Sequence, residues 1–251
     1  MDGTLLTQAG ELPEGFAAMR ATLRERGIAF VPASGRQHAT LALMFPEDDS
    51  FVADNGSLVA HEGRVIGTSL VARDAVRHVI ELARAYTASD LGVVVCGVST
   101  AYIERTDPAF VAEVDKYYAS LEVVEDLTLV ADDVLKVAIF DFDDAEPMAA
   151  TMLRDVAQTH QVVVSSKHWV DVMHPEANKG VGVKALQAAL GVGPAQTVAF
   201  GDYLNDLELL DAAGLSFAMA NAHPEVHARA RYVAPRNVDD GVLRVLAHLL
   251  G

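Results

Sequence analysis

Short apolar segments, each preceded by a helical pattern and followed by polar residues, constrain the fold of this chain most. Residues 28–33 are apolar from end to end and stop at Ser34-Gly35-Arg36, and a second buried segment, 197–200, stops at Gly201-Asp202. Strands without a polar side are typical of a parallel sheet that helices cover on both faces. The alternation of such strands with helices predicts an α/β layered domain.

The residues around these two segments continue the alternation of helices and strands. A helix with Pro13 in its first turn places Phe16, Met19 and Leu23 on one face and is capped by Gly27. The other predicted elements are a strand at 51–53 stopped by Asn55-Gly56, a helix through Val181, Leu186 and Leu190 ending at Gly191, a helix at 205–213 and a strand at 215–219.

The middle of the chain follows a different pattern, in which helices alternate with strands that carry polar residues on one side. We predict helices at 74–84, 107–120 and 144–160, and strands at 93–95, 134–140, 162–164 and 169–173. The first pattern, in which helices alternate with wholly apolar strands, returns after His174. We therefore expect a core of residues 1–73 and 175–251, and an inserted α/β domain at 74–174.

The charge balance excludes several classes of partner. The 35 acidic residues outnumber the 19 basic ones, and a net charge of −16 repels nucleic acid and anionic membranes. No apolar run approaches the ~20 residues of a membrane helix, and the start of the chain lacks the features of a signal peptide. Cys96 is the only cysteine, so no intrachain disulfide can form. We expect a cytoplasmic location, with no nucleic-acid or membrane partner.

Four polar segments carry the chemistry: Asp2-Gly3-Thr4-Leu5, Ser34-Gly35-Arg36, Lys179-Gly180, and Gly201-Asp202 with Asn205-Asp206. Ligands of open α/β sheets bind beyond the carboxyl ends of the strands, where we expect these segments to converge. Asp2, Asp202 and Asp206 are a carboxylate set suited to Mg²⁺. Ser34 and Lys179 can donate hydrogen bonds to phosphate oxygens. A cation, donors and an acid are the requirements of phosphoryl transfer.

These segments resemble the motifs of the haloacid dehalogenase superfamily, in its Cof-like subfamily with the larger α/β cap called type IIB. The family's first motif is an apolar strand followed by Asp-x-Asp-Gly-Thr-Leu, and the chain begins at x with Met1. The second, third and fourth motifs match Ser34, Lys179 and residues 201–206. Weaker marks are Asn55-Gly56, Ala220-Asn221-Ala222 and residues 237–242. The resemblance implies a Rossmann-like parallel-sheet core with the insertion as cap.

The resemblance also implies a role for each matching residue. It implies a Mg²⁺-dependent phosphatase of small phosphorylated metabolites such as sugar phosphates, nucleotides or cofactor phosphates. Asp2 would be the general acid and base, and its backbone carbonyl would reach the metal. Asp202 would bind the metal directly and Asp206 through a water molecule. The implied phosphate-binding residues are Thr4, Ser34, Gly35, Lys179 and Asn205.

The family's nucleophile is the aspartate before x, which this sequence does not contain. We expect a gene start assigned at an internal methionine, and an apolar strand before it that would lie between the strands ending at Ser34 and Phe200. The chain as given should then be inactive. The alternative is a catalytically dead relative that keeps a ligand- or metal-binding pocket.

Each segment has a plainer interpretation when it is taken alone. Asp2-Gly3 would be a disordered start, Ser34 and Asp202 would cap helices, and Lys179 would be a surface lysine. The ordered set makes this combination improbable.

Other candidate residues favour structural roles. The run 140–144 imitates an Asp-x-Asp motif through Asp141, but it lacks Gly-Thr and follows Ser34, so we interpret it as a cap strand that leads into a helix with an acidic first turn. His223 and His227 have no third candidate ligand nearby. We therefore expect solvated side chains at these positions and no zinc site. Trp169 and Asp171 are candidates for substrate contact, although packing is the more common role of a strand tryptophan.

Overall fold

The computed structural model describes residues 1–251, which form two compact units. The first unit contains residues 1–34, 47–66 and 178–251, and the second contains 35–46 and 67–177. The second unit therefore includes more of the chain than the predicted insertion at 74–174. Hydrogen bonds explain the inclusion of 35–46, because the Gln37 side chain bonds the backbone carbonyl and N–H of Ser120, and the Thr40 hydroxyl donates to the carbonyl of Tyr117.

Nine α-helices and twelve β-strands make up the fold. The helices are α1 (Phe16–Glu25), α2 (His38–Met44), α3 (Arg73–Ala85), α4 (Pro108–Val114), α5 (Ala145–Met152), α6 (Lys179–Leu190), α7 (Leu207–Asp211), α8 (Pro224–Arg229) and α9 (Gly241–Leu250). The strands are β1 (Phe51–Ala53), β2 (Leu58–His61), β3 (Arg64–Thr68), β4 (Leu91–Gly97), β5 (Ala101–Ile103), β6 (Leu121–Val123), β7 (Val134–Asp141), β8 (Gln161–Val164), β9 (Trp169–Met173), β10 (Val198–Gly201), β11 (Leu215–Met219) and β12 (Tyr232–Ala234).

A parallel sheet with strand order β10-β11-β12 characterises the first unit, and β1, β2 and β3 form a separate three-stranded sheet. Helices α6 and α7 cover the parallel strands, and Val183, Leu186 and Leu210 pack with Ala199 and Ala218. This helix-on-sheet packing confirms the predicted α/β fold class. The helix that ends at Gly191, with φ of 67°, and the strands at 197–200 and 215–219 are also confirmed.

Residues 28–33 differ from their prediction, because they form no strand. Their one ladder contact is a parallel bridge from Ala33 to Val52, next to hydrogen bonds between Val52 and the neighbours of Ala33. A strand needs a partner along its length, and an apolar composition alone does not supply one. The other edge of this segment faces a groove within the first unit.

The second unit contains a six-stranded sheet of order β6-β5-β4-β7-β9-β8, antiparallel except for the β5–β6 pair. Side chains of β7 alternate between its faces. Val137 and Ile139 pack with helices α3 and α5, whereas Ala138 and Phe140 pack with residues of α4. The helix at 74–84 and all four predicted strands of this region are confirmed.

Two predicted helices of the second unit are too long. The helix predicted at 107–120 is α4, which ends at Val114, because the following residues bond Gln37 and Thr40 and place Tyr117 and Tyr118 against Trp169. The helix predicted at 144–160 is α5, which ends at Met152 and is followed only by a 3-10 turn at Val156–Gln158.

The run 140–144 has the structural role that its sequence predicts. The Asp141 side chain is buried, receives a hydrogen bond of 2.8 Å from the Ser89 hydroxyl and accepts another from the N–H of Asp143. Asp144 caps α5 by accepting from the N–H of Glu146. Trp169 packs edge-on against Phe140 with ring centroids 5.0 Å apart, which confirms its packing role.

Candidate active site

The first six residues form a compact turn around the carbonyl oxygen of Met1. This oxygen accepts hydrogen bonds from the backbone N–H groups of Thr4, Leu5 and Leu6, at 2.9–3.2 Å. Leu5 and Leu6 are buried. Asp2 and Gly3 are therefore part of the folded first unit, and the interpretation of this segment as a disordered start is wrong.

A glycine is required at position 3 for two reasons. Its φ of +46° lies in the left-handed region, which side chains rarely adopt. A Cβ atom added there would also overlap the carboxylate of Asp202. The Thr4 hydroxyl donates a hydrogen bond to Asp202 Oδ1. The predicted first and fourth segments therefore meet through Asp202, and the hydroxyl of Thr4, a predicted phosphate ligand, is engaged by this carboxylate.

Two asparagines from the end of the chain hold this turn in place. Asn221 Nδ2 donates to the carbonyl of Gly3 at 2.8 Å, and Asn237 Nδ2 donates to the carbonyl of Leu6 at 2.8 Å. The two are joined, because Asn221 Oδ1 accepts from the backbone N–H of Asn237 at 3.2 Å. These residues lie in the weaker sequence marks, and the structure assigns them the task of positioning Asp2 to Thr4.

Lys179 and Asp206 form a buried ion pair at the centre of the site. Lys179 Nζ lies 2.6 Å from Asp206 Oδ1, and the two side chains are 3 % and 4 % exposed. Asn178 places the lysine, because its side chain caps α6 by accepting from the N–H of Val181 at 2.9 Å. The interpretation of Lys179 as a surface lysine is wrong.

Asp206 also organises the loop after β10. Its Oδ2 accepts from the backbone N–H of Asp202 at 3.0 Å and from that of Tyr203 at 3.4 Å. Burial raises the pKa of Asp206, but the charges of Lys179 and the α-ammonium group of Met1, with the hydrogen bonds from Lys179 and from the N–H of Asp202, outweigh burial and hold the pKa below its usual value. Asp206 is therefore ionised and fully bonded within the protein.

Asp202 is the less compensated carboxylate of the site. Burial raises its pKa above the ordinary value, and the hydrogen bond from Thr4 and the charge on Met1 counteract only part of this effect. The α-amino group of Met1 lies in the same cluster, where burial and the charge of Lys179 lower its pKa.

The Asn55-Gly56 turn connects three of the predicted segments. The backbone N–H of Asn55 donates to the carbonyl of Ser34 at 2.9 Å, and Asn55 Oδ1 accepts from Asn205 Nδ2 at 3.0 Å. Gly56 has a φ of +92°, and a Cβ atom there would overlap the backbone carbonyl of Asn178. This turn thus positions Ser34, Asn205 and the start of α6. Sequence reasoning noted the turn but missed its connecting role, which depends on tertiary contacts.

The structure brings most predicted site residues into the first unit. Hydrogen bonds link Thr4 to Asp202, Asp202 to Asp206, and Asp206 to Lys179. Asn55 links Ser34 and Asn205 to each other. Ser34 is buried and Asp2 is exposed. Gly35 belongs to the second unit, where its carbonyl accepts from Lys136 Nζ at 3.2 Å.

The residues present fit a magnesium ion better than a metal held by many side chains. No three His, Cys, Asp or Glu side chains group closely enough to hold a metal ion. Mg²⁺ keeps several water molecules and uses one or two carboxylates, so a large cluster is not needed. A half-buried carboxylate whose pKa burial raises, as in Asp202, would be stabilised by a cation.

His223 has a structural role beside this loop. Its backbone N–H donates to the carbonyl of Asp202 at 2.9 Å, and its Nδ1 atom accepts from the N–H of Glu225 to cap α8. His223 is half-buried, so it is partly solvated, as expected for a histidine that caps a helix at the surface.

Comparison with known proteins decides the family. The family model of haloacid dehalogenase-like hydrolases matches residues 1–246. The chain belongs to this hydrolase family. A phosphatase of Escherichia coli (strain K12), 5-amino-6-(5-phospho-D-ribitylamino)uracil phosphatase YbjI, is 34 % identical over 256 aligned residues, which cover all of this chain and 94 % of that protein.

Two further relatives extend the comparison. The enzyme YitU of Bacillus subtilis (strain 168), which bears the same phosphatase name, is 25 % identical over 260 residues, covering 98 % of this chain and 94 % of its own. A crystal structure of a Streptococcus mutans UA159 protein superposes with a TM-score of 0.85 at 26 % identity, over 100 % of this chain and 96 % of that one. The expected family resemblance is confirmed, and both YbjI and YitU are phosphatases by name. In this chain, none of the helices combines the length and the apolar character that a membrane span requires.

Proposed function

We propose that this protein is a Mg²⁺-dependent phosphomonoesterase of small phosphorylated metabolites. The observation that carries the proposal is the buried cluster of Lys179 and Asp206 beside the less compensated carboxylate of Asp202. Lys179 supplies one fixed positive charge, but the neighbouring carboxylates of Asp206 and Asp202 repel a dianionic phosphate group. Such a group therefore binds here only when a metal ion adds positive charge. Bound Mg²⁺ would supply this charge and polarise the phosphoryl oxygens. Asp202, the carbonyl of Asp2 and, through water, Asp206 would hold it.

The chain's own residues would bind the phosphate and move protons. Lys179 and Ser34 donate to phosphoryl oxygens, and the Asn55 turn keeps Ser34 in place. The exposed Asp2 carboxyl group gives its proton to the alcohol oxygen as the ester bond to phosphorus breaks. In the second step the Asp2 carboxylate takes a proton from the attacking water, and inorganic phosphate leaves.

The phosphoryl acceptor of this scheme is a carboxylate on the residue directly before Met1, where an aspartyl phosphate would form and be hydrolysed. A polypeptide limited to these 251 residues carries no side chain at that position, and we expect such a polypeptide to turn over negligibly. We call the same chain preceded by five apolar residues and one aspartate the extended form. The alternative function is a ligand- or metal-binding protein without turnover. Such a protein would bind its ligand or metal saturably in both the 251-residue and the extended form, and would hydrolyse phosphate esters in neither.

The substrate proposal follows the curated relatives. YbjI and YitU are named for 5-amino-6-(5-phospho-D-ribitylamino)uracil, and their alignments cover at least 98 % of this chain. We propose this sugar-alcohol phosphate as the first substrate to compare with hexose phosphates and nucleoside monophosphates.

Phosphate release by the extended form tests the proposal. We expect hydrolysis with Mg²⁺, its loss in EDTA, and a loss of about 10²-fold or more in Asp202→Asn, since electrostatic groups at such sites contribute this much. The matched control is Asp143→Asn, a residue of the second unit outside the site. Hydrolysis that is insensitive to EDTA and to Asp202→Asn would contradict the proposed function.

A further inference from the structure

A buried ion pair lies within an apolar face of the six-stranded sheet in the second unit. Asp171 of β9 lies opposite Ala138 of β7, and Lys136 is two positions from Ala138, so all three side chains point to the same face. Ala138 packs there in an apolar cluster with Phe140 and Trp169. Lys136 Nζ lies 3.4 Å from Asp171 Oδ2, and the two side chains are 5 % and 6 % exposed. Both charges are therefore almost completely removed from water.

An ion pair in such surroundings contributes little to the stability of a fold. Taking two charges out of water is costly, and their mutual attraction often does no more than offset that cost. Two apolar side chains at positions 136 and 171 would extend the cluster around Ala138 without it. This balance favours a role for the ammonium group of Lys136 other than stabilisation of the second unit.

The contact that indicates this role is made to the backbone of residue 35. Lys136 Nζ donates a hydrogen bond to the carbonyl oxygen of Gly35 at 3.2 Å. Gly35 directly follows Ser34, which binds phosphate in the proposed reaction. Glycine has the least restricted backbone of all residues, so such a position moves unless other groups hold its peptide units. The lysine holds the peptide unit that follows Gly35 by its oxygen.

The residues before and after Gly35 have anchors of their own. Both backbone groups of Ser34, its N–H and its carbonyl, make hydrogen bonds of 2.9 Å. On the other side, the side chains of Gln37 and Thr40 make four hydrogen bonds to the backbone of residues 117–120. The ammonium group thus acts on a conformationally free position between two fixed ones.

We propose that Lys136 is a positioning residue of the phosphatase reaction, which holds the backbone at Gly35 in the conformation that presents Ser34 to the phosphate group. This role rests on the proposed function. Asp171 orients the ammonium group and balances its charge, whereas the bond to Gly35 acts on the loop. Ser34 contacts the phosphate group in the ground state and in the transition state alike. Loss of the lysine should therefore raise KM and leave kcat nearly unchanged.

Two variants separate the loop contact from the ion pair. Lys136→Met with Asp171→Asn removes both charges together, and with them the donor to Gly35. Asp171→Asn alone keeps the ammonium group, which the asparagine oxygen can still accept from. In the extended form with Mg²⁺ and p-nitrophenyl phosphate, the double variant should raise KM about tenfold, the factor that corresponds to one net hydrogen bond. Asp171→Asn should change KM by less than about threefold, since its loop contact remains.

A second readout does not need turnover. The NMR order parameter of the Gly35 N–H in the 251-residue chain should be about 0.85, the value of a rigid backbone, and should fall toward about 0.6 in the double variant. Circular dichroism checks the fold of each variant. Lys136→Gln, which also removes the ammonium group, replaces the double variant if that one does not fold.

Ser89→Ala is the control for a general loosening of the second unit. The Ser89 hydroxyl bonds the buried carboxylate of Asp141 at the far end of β7, so its loss destabilises the same sheet away from Gly35. This variant should change neither KM nor the order parameter of Gly35.

The two readouts together decide the role of Lys136. A raised KM with unchanged kcat and a more mobile Gly35 in the double variant support it. An unchanged KM, an unchanged order parameter, a loss confined to kcat, or equal effects in Ser89→Ala overturn it. An extended parent that does not hydrolyse the ester contradicts the proposed function instead, and the order parameter alone then decides whether Lys136 holds the loop.

Discussion

Lys179 and Asp206 neutralise each other at a separation of 2.6 Å, with both side chains almost completely buried. Replacing Lys179 by methionine leaves the buried carboxylate of Asp206 without its ion-pair partner. We expect Lys179→Met to lower the free energy of unfolding by about 3–5 kcal/mol, measured by urea denaturation followed by circular dichroism.

The double variant Lys179→Met, Asp206→Asn is the matched control for this pair. Because asparagine removes the buried charge and keeps an oxygen that can accept from the backbone N–H groups of the loop, it should recover most of the stability lost in Lys179→Met. A loss below about 1 kcal/mol in Lys179→Met alone, typical of a surface pair, would contradict the buried pairing.

The tight approach of Gly56 to Asn178 gives a second prediction. Gly56 and Gly63 both have positive φ, +92° and +68°, but only at Gly56 would a Cβ atom overlap the backbone. Gly63→Ala should cost about 1–2 kcal/mol from its backbone conformation. Gly56→Ala should cost about 1–3 kcal/mol more. Thermal unfolding of the two variants checks this, and equal losses would show that the turn is not held against α6.

Much of this architecture follows from local sequence. The strand at β10 and the helix at α6 depend on an apolar pattern with a glycine or asparagine at its end, so they are predictable. Residues 28–33 have an equally apolar pattern, but a strand also needs a neighbouring strand along its length. The early end of α4 depends on contacts of Tyr117 with Trp169, which are distant in sequence.

The candidate site also contains residues that local sequence predicts and residues that it does not. Thr4, Lys179, Asp202 and Asp206 lie in recognisable motifs, and the structure brings them together. The positioning role of Asn221 was hidden, because its partner, the carbonyl of Gly3, is 218 residues away. A lone asparagine pattern carries no information about such a partner.

Tyr102 makes stability depend on alkaline pH. Burial, the charge of Asp132 and a hydrogen bond of 3.2 Å to its carboxylate raise the pKa of Tyr102 to about 12. The unfolded chain loses this proton near pH 10. The folded state therefore binds the proton more tightly, and its stabilisation is complete below about pH 10 and is lost as the pH rises toward 12.

The variant Tyr102→Phe isolates this effect. It should be less stable than the parent at neutral pH, from the lost hydrogen bond, and should show a smaller decline between pH 10 and 12. Urea denaturation midpoints across this range measure the difference. Parallel pH profiles for the two proteins would contradict the account of Tyr102.

The phosphatase assignment is tested most directly by p-nitrophenyl phosphate hydrolysis in three purified proteins. These are the 251-residue chain, the extended form, and the extended form with Asn in place of its added Asp. We predict Mg²⁺-dependent turnover only in the extended form, with the other two slower by up to about 10⁶-fold, as when a nucleophile is removed from a catalytic unit. Turnover by the 251-residue chain at an ordinary rate of about 1 s⁻¹ or more, or equal rates for the Asp and Asn extensions, would contradict it.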